Sequence, residues 1–396
     1  MSDNTTTNLI IPWESLPNEI LTNIFVFLPI KSIIICTSVS KAWKSLIKNP
    51  TFISTHLHHS LNKNQNLLFF SLRSENQKEF CALHNEDDAD FTQHARFDYP
   101  FHAPDLDPHN RKCRVVGTCN GLLFLSSVFH LDPHNNSLCL WNPCVGKLLK
   151  LPSPNVTYAT HGGFDASIGF GFDPKTKDYK VVRVVTLLES IDLEKSRPQV
   201  EVYTLSTGQW RILRTGLAPI CALFRRDPQT FINGALHWVA FRVSDKKFHN
   251  FVLVFDLGEE VFHEIHLPEF PGHTRLMSGS ISVYRNSIAL FQKDNGFLHI
   301  WVMKEYGVVS SWTKVLSLPF SSQGFLGVGD SIPRALGFRR NGEVILKLDG
   351  GHLISQDLET QEMKDLRIIG FEKTIVDYYV ESLVLLDKAA NSADTY

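Results

Sequence analysis

A paired-strand unit recurs through most of the chain and leaves little choice of fold. Its first half is two apolar runs around a tight turn. Copies read VVGTCNGLLFL at 115–125, FINGALHWVAF at 231–241, ISVYRNSIALF at 281–291 and ALGFRRNGEVILKL at 335–348. Asn-Gly between apolar runs is the strongest short hairpin signal, because both residues tolerate the positive φ that a type I′ turn needs. A second hairpin follows, in LCLWNPCVGKLLKLP at 138–152, VEVYTLSTGQWRIL at 200–213, FVLVFDLGEEVFHEIHLP at 251–268 and ISQDLETQEMKDL at 354–366. Asn142, Thr204, Asp256 and Asp357 stand just before its turn, at intervals of 62, 52 and 101 residues. The last interval holds one more copy, HIWVMKEYGVVSSWTKVLSLP at 299–319. Four strands per repeat and a period of roughly 50 residues predict radial blades, a propeller-like array. The strand-rich segment 374–387, TIVDYYVESLVLLD, is placed to pair with the early strands near 67–72 and close the ring.

Ahead of these repeats the pattern is helical. Residues 1–10 are polar and expected to be disordered, and 13–59 carry apolar residues at helical spacing. Pro17 and Glu19 suit a first turn, where a missing N–H costs nothing and an acid meets the positive end of the helix dipole. Ile20, Leu21, Ile24, Phe25 and Leu28 then form one broad apolar face. Pro29 ends that helix. Ile30, Ile33 and Ile34 mark a second helix. Ser38 or Ser40 caps a third, bearing Val39, Trp43, Leu46 and Ile47. Asn49-Pro50 opens a fourth. The expected division is a helical unit over 11–59, a hinge at 60–66, a β domain over 67–388 with its own core, and a flexible tail at 389–396. The fold class is therefore a small helical module followed by an all-β, propeller-like domain, for which we expect about six blades.

Composition excludes several functions. The chain has 396 residues, 43% hydrophobic and 20% charged, with a formal net charge of −2. A duplex-binding surface needs an excess of Lys and Arg, so no nucleic-acid partner is expected. The N-terminus lacks the basic and apolar regions of a secretory signal. The most apolar window, 20–36, is broken by Asn23, Pro29 and Lys31 and is too short to span a bilayer. Seven cysteines, an odd number with no CxxC pair, read as reduced thiols of a cytoplasmic or nuclear protein.

No catalytic or cofactor signature is present in the sequence, and no cofactor or metal is expected. Gly169-Phe170-Gly171 and Gly327-Val328-Gly329 lack the third glycine of a dinucleotide loop. No phosphate-cradling loop and no GxSxG nucleophile elbow occurs. His263 and His266 would face opposite sides of a strand, against shared metal ligation. Cys139 and Cys144 flank a turn without the second half of a zinc site. Arg339-Arg340 reads as solvated turn charge. Trp141, Trp210, Trp238, Trp301 and Trp312 read mostly as blade core.

The helical unit carries more apolar surface than three or four short helices can cover, so either the β domain or another protein covers it. Its residues closely resemble the F-box: Leu16-Pro17, Glu19-Ile20-Leu21, Ile24, Leu28-Pro29, Lys31-Ser32, Cys36, Val39-Ser40-Lys41, Trp43 and Leu46-Ile47, with Ile33 where the family has Leu. The pieces GTCNGLLFL, LWNPCVGKLLKLP, IGFGFDPKTKDYKVVRV, VEVYTLSTGQWRIL and FINGALHWVAF resemble the F-box-associated region of plant F-box/kelch-repeat proteins, although no double-glycine kelch signature is present. The resemblance implies docking on a Skp-type adaptor, and through it on the cullin and RING subunits of an SCF-type ubiquitin ligase. It implies Leu16, Pro17, Ile20, Leu21, Ile24, Leu28, Pro29, Ile30, Val39 and Trp43 as the adaptor-contact set. The β domain would then hold an unknown target protein, and the chain would not be an enzyme. A non-ligase scaffold and an enzyme with a propeller-borne site are the alternatives. In a four-stranded blade the second turns and the crossovers share one face, and here they are the long loops. Tyr158, Phe164, Phe224, Arg225, Arg226, Arg275 and Met277 on those loops are the candidate target contacts.

Overall fold

The computed structural model describes residues 16–63, 66–88, 90–100, 111–129, 137–187, 197–223, 229–245, 247–268, 279–294, 296–319 and 333–388. The N-terminal segment 1–10 and the tail 389–396 lie outside them. Four helices come first: α1 (Asn18–Val26), α2 (Ile30–Cys36), α3 (Lys41–Ile47) and α4 (Pro50–Asn62). Their starts follow local chemistry. Pro17 and Pro29 occupy the N-cap positions of α1 and α2 in extended conformation. Ser40 Oγ accepts from the Trp43 amide at 3.1 Å, and Asn49 Oδ1 accepts from the Thr51 amide at 2.8 Å. Helix α4 runs on through Asn62, so helix occupies the first part of the 60–66 hinge expected from the sequence.

Six antiparallel sheets follow as blades of a propeller. Blade 1 receives β1 (Leu67–Arg73), β2 (Glu79–Asn85) and β3 (Gln93–Asp98). Blade 2 is β4 (Arg111–Cys119), β5 (Leu122–Phe129), β6 (Ser137–Asn142) and β7 (Lys147–Lys150). After a single helical turn, α5 (Tyr158–His161), blade 3 is β8 (Phe164–Asp173), β9 (Asp178–Leu187), β10 (Gln199–Thr204) and β11 (Gln209–Ile212). Blade 4 splits its innermost strand into β12 (Ala222–Leu223) and β13 (Thr230–Ile232), both paired with β14 (Ala235–Ser244), followed by β15 (Lys247–Asp256) and β16 (Val261–His266). Blade 5 is β17 (Gly279–Tyr284), β18 (Ser287–Asp294), β19 (Phe297–Met303) and β20 (Trp312–Pro319). Blade 6 is β21 (Arg334–Phe338), β22 (Val344–Lys347), β23 (His352–Gln356) and β24 (Met363–Ile369).

The last strand, β25 (Val376–Tyr379), returns to blade 1 and pairs with β1, Leu67 opposite Tyr379 and Phe70 opposite Val376. The ring thus closes by joining the two ends of the β region within one sheet, as the 374–387 pattern predicts. The hairpin turns follow their residues. Asn120 and Gly121 have φ of 51° and 78°, and Asn233 and Gly234 have 53° and 73°. Both faces of a blade pack on neighbouring blades, so strands such as β9 read as near-continuous Val rather than alternating.

Buried polar clasps join neighbouring blades. Thr118 on β4 donates to Asp377 Oδ2 on β25 from both its amide, at 3.3 Å, and its hydroxyl, at 2.9 Å. Lys180 on β9 reaches Asp173 at 2.8 Å, then Glu260 at 2.9 Å and the Leu257 carbonyl at 2.6 Å in blade 4. Between blades 6 and 1, Arg339 donates to Glu343 at 2.6 Å and to the Glu86 carbonyl at 2.6 Å. That corrects the sequence expectation for Arg339, which is 8% exposed and seals a joint, while Arg340 is exposed as expected. The guanidinium fork can satisfy a carboxylate and a carbonyl at once, which lets the charge be buried.

The chain leaves the sheet after Tyr379, and 380–388 form a strap across the short turns of blade 2. Asn142 Nδ2 donates to the carbonyls of Ser382 and Val384, each at 2.9 Å. A side chain at Gly121 would meet the Val380 carbonyl at 2.5 Å, so glycine admits the strap as well as the turn. Leu383 and Leu385 of the strap share one buried cluster with Leu21, Phe25, Ile33, Ile47, Phe52 and Leu57 of the helices and with Leu122, Phe124 and Leu140 of blade 2. The separate core expected for the β domain is therefore not what is found. The helical module and the propeller share a core, because the helices are too short to cover their inner face themselves.

Candidate functional site

The shared core divides the ten apolar residues of the expected adaptor-contact set. Leu21 and Ile30, at 4% and 5% exposure, are internal packing. Leu16, Leu28 and Trp43 are half-buried against the same cluster. Pro17, Ile20, Ile24, Pro29 and Val39 remain exposed. Ile20, Ile24 and Phe27 fall at i, i+4 and i+7 on α1 and its C-cap, which places them on one stripe. Phe27 and Ile35 are more exposed than Ile20, Ile24 or Val39 of the expected set, at 67% and 68%. Sequence reasoning missed both. Phe27 lies one position short of Leu28, which the spacing favoured, and Ile35 ends a run of three isoleucines that spacing alone cannot orient.

The stripe is braced from within. The Trp43 ring meets Phe25 edge-on at 4.9 Å, and Phe25 meets Phe52 at 6.5 Å. Phe27 lies edge-on to His59 at 4.7 Å. Trp43 Nε1 is buried with no acceptor among the described residues. A patch of large exposed apolar side chains is suited to receive another protein's surface.

The expected target contacts fare differently. Phe224, Arg225, Arg226, Arg275 and Met277 lie outside the described residues. Tyr158 stacks on Phe164 at 4.4 Å and donates its hydroxyl to the Phe164 carbonyl at 3.3 Å. Phe164 is 7% exposed and packs with Val156 and Val185, so this pair braces the crossover into blade 3. Glu201 holds the same crossover from below, accepting from the Asn155 and Val156 amides at 2.8 and 3.0 Å while paired with Arg183.

Among the described residues no three His, Cys, Asp or Glu converge as metal ligands. Burial pushes the Cys81, Cys144 and Cys221 thiols up to about 12, away from thiolate chemistry. It pushes His237 down to about 4, neutral and hydrogen-bonded to the Tyr306 hydroxyl at 2.7 Å. His263 and His266 are both exposed on the outer strand β16. Trp141, Trp210 and Trp238 are blade core, while Trp301 and Trp312 are half-exposed.

Two family descriptions match the chain in tandem: "F-box domain" over residues 13–55 and "F-box associated beta propeller domain" over 96–384. The chain belongs to the F-box proteins with an associated β-propeller. Similar Arabidopsis thaliana proteins include F-box protein At3g07870, 30% identical over 90% of this chain and 88% of its own, and F-box protein CPR1, 29% identical over 94% and 89%. F-box/kelch-repeat protein At3g23880 is 26% identical over 80% and 83%. Among solved structures, TolB from Acinetobacter baumannii covers 82% of this chain and 71% of its own at 10% identity and a TM-score of 0.46, a likeness that bears on neither activity nor partner. An F-box joined to a propeller is the architecture of an F-box substrate adaptor. This F-box protein mounts its F-box on the short-turn side of blade 2, where the strap meets Asn142 and Gly121.

Proposed function

We propose that the protein is the substrate-recognition subunit of an SCF-type ubiquitin ligase. Its F-box docks on a Skp-type adaptor, and through it on cullin and RING subunits. Its propeller holds a target protein for ubiquitination. The observation that carries this reading is the apolar stripe of Ile20, Ile24 and Phe27, which the shared core leaves uncovered. The chain itself contributes no bond chemistry. It raises the effective concentration of the target near the charged conjugating enzyme. The working compartment of such a ligase, cytoplasm or nucleus, is part of the same proposal.

Reconstitution tests it. The purified chain mixed with adaptor, cullin, RING subunit and conjugating enzyme should co-elute as one assembly and become ubiquitylated itself or ubiquitylate a bound protein. Adaptor binding without cullin in the complex would point instead to a sequestering role. Absence of adaptor binding would overturn the proposal.

A further inference from the structure

A cleft of about 460 Å³ opens on the rim between blades 3 and 4, between the crossover 213–221 and the outer strand β16. Its walls combine apolar surface with two arginines. Leu217 is 56% exposed at the mouth, with Ile220 and Phe262 behind it. The floor is firm: Phe262 packs on Phe255 at 4.7 Å and joins the buried clusters of blade 4. Arg242 is held in place from two sides, by Glu264 at 2.7 Å and by the Phe251 ring 4.9 Å beneath its guanidinium. Arg197 is exposed and anchored by one hydrogen bond, Nη1 to the Ala218 carbonyl at 3.2 Å.

The charges do not balance. Among the described wall residues two guanidinium groups face one carboxylate, and the other titratable one, His263, adds no negative charge. The described walls therefore present an excess of positive charge beside an exposed leucine, in a chain of net charge −2. Guanidinium groups recognise carboxylates by paired N–H donors, and a cleft of this size takes two or three side chains. We infer that this cleft receives a short target segment in which an acidic residue adjoins a large apolar one, the carboxylate on Arg197 and the apolar side chain against Leu217, Ile220 and Phe262. The inference rests on the receptor reading above and names the chemistry of its target. It places capture on the rim beside the crossover, where aromatic and arginine anchors are held by packing.

The test is selection of a random dodecapeptide display library on the full chain held by its adaptor. Enriched peptides should carry Asp or Glu next to Leu, Ile, Phe or Met. Their affinity should fall at least tenfold for Arg197→Glu and for Leu217→Ser, two exposed positions whose replacement leaves the melting temperature unchanged. Replacing the peptide's Asp by Asn should give a similar loss, and raising the salt should weaken binding. No enrichment, enrichment without acidic residues, or equal binding by both variants would overturn the inference. Adaptor binding by the same preparation is read in parallel, so failure of the cleft is distinguished from failure of the receptor reading.

Discussion

Ile20 and Ile24 lie four residues apart on α1 and expose 46% and 38% of their surface. They are the cleanest test of docking, because trimming them removes contact area without opening the core. Each Ile→Ala change removes about 1–1.5 kcal/mol of burial on docking, so the double variant should bind the adaptor roughly 30–150-fold more weakly. Calorimetric titration checks this, with a melt to show the fold unchanged. Equal affinity would exclude the stripe. Leu16 and Leu28 are poorer choices despite their place in the motif, since both also pack on the shared core. Asp377 raises a different point. It faces Thr118 across the joint of blades 1 and 2, and burial pushes its carboxyl up from 3.8 to about 6. A raised folded pKa means that folding favours the protonated form. The contribution is fully present below pH ~4 and is lost as pH rises through about 6. Asp377→Asn removes that titration. Its melting temperature relative to wild type should therefore rise between pH ~4 and ~6.5. A difference that stays flat over that window would show that the carboxyl does not titrate there.

Among the elements, the hairpins were legible and the joints were not. Asn120-Gly121 and Asn233-Gly234 announce their turns because no other dipeptide accepts two positive φ values so readily. Asn142, Asp256 and Asp357 announce the second hairpins because each side chain accepts amides two or three residues on, as Asp357 does from Glu359 and Thr360 at 2.7 and 2.8 Å. The F-box was legible from its motif, but spacing could not say which of Leu21 and Ile24 faces inward. That depends on the strap, a segment distant in sequence. The strap itself reads as more strand in 374–387, since Leu383 and Leu385 alternate as a strand would. Tertiary contact with the helices overrides the pattern. Arg339 was illegible for a like reason: its partner Glu86 is 253 positions away. The strap gives a prediction at this scale. Asn142→Ala leaves the Ser382 and Val384 carbonyls without their donor and should cost roughly 2–4 kcal/mol. Hydrogen exchange should then rise both in 380–388 and in α1–α4. A rise confined to blade 2 would show that the strap does not carry the helices.

For the whole molecule, the shared core implies a single cooperative unit. Scanning calorimetry of the free chain should show one transition for helices and propeller together. Two well-separated transitions would mean that the helices melt on their own and that the common cluster is weak. Under the proposed function, the same continuity would fix where a captured protein sits relative to the adaptor. The F-box hangs from the short-turn side of the ring, so a target held elsewhere on the propeller is presented at a set distance and angle, without a flexible tether. Lengthening the 63–66 connection with Gly and Ser should leave adaptor binding intact and change the rate of ubiquitin transfer little, because the strap and not that connection holds the two parts together. A large change in rate would assign the coupling to the connection instead.

The order of synthesis meets this architecture in an awkward way. The ribosome delivers the helices first and Val376–Tyr379 after every other described strand, so blade 1 stays one strand short until the other five blades have emerged. During that time α1–α4 have no strap to lie against, and their inner face is open as well as their outer one. If the F-box docks on an adaptor as proposed, every nascent copy would be an adaptor ligand before it is a receptor. On the same proposal, a message truncated ahead of Val376 would yield a product that competes for the adaptor while holding no target.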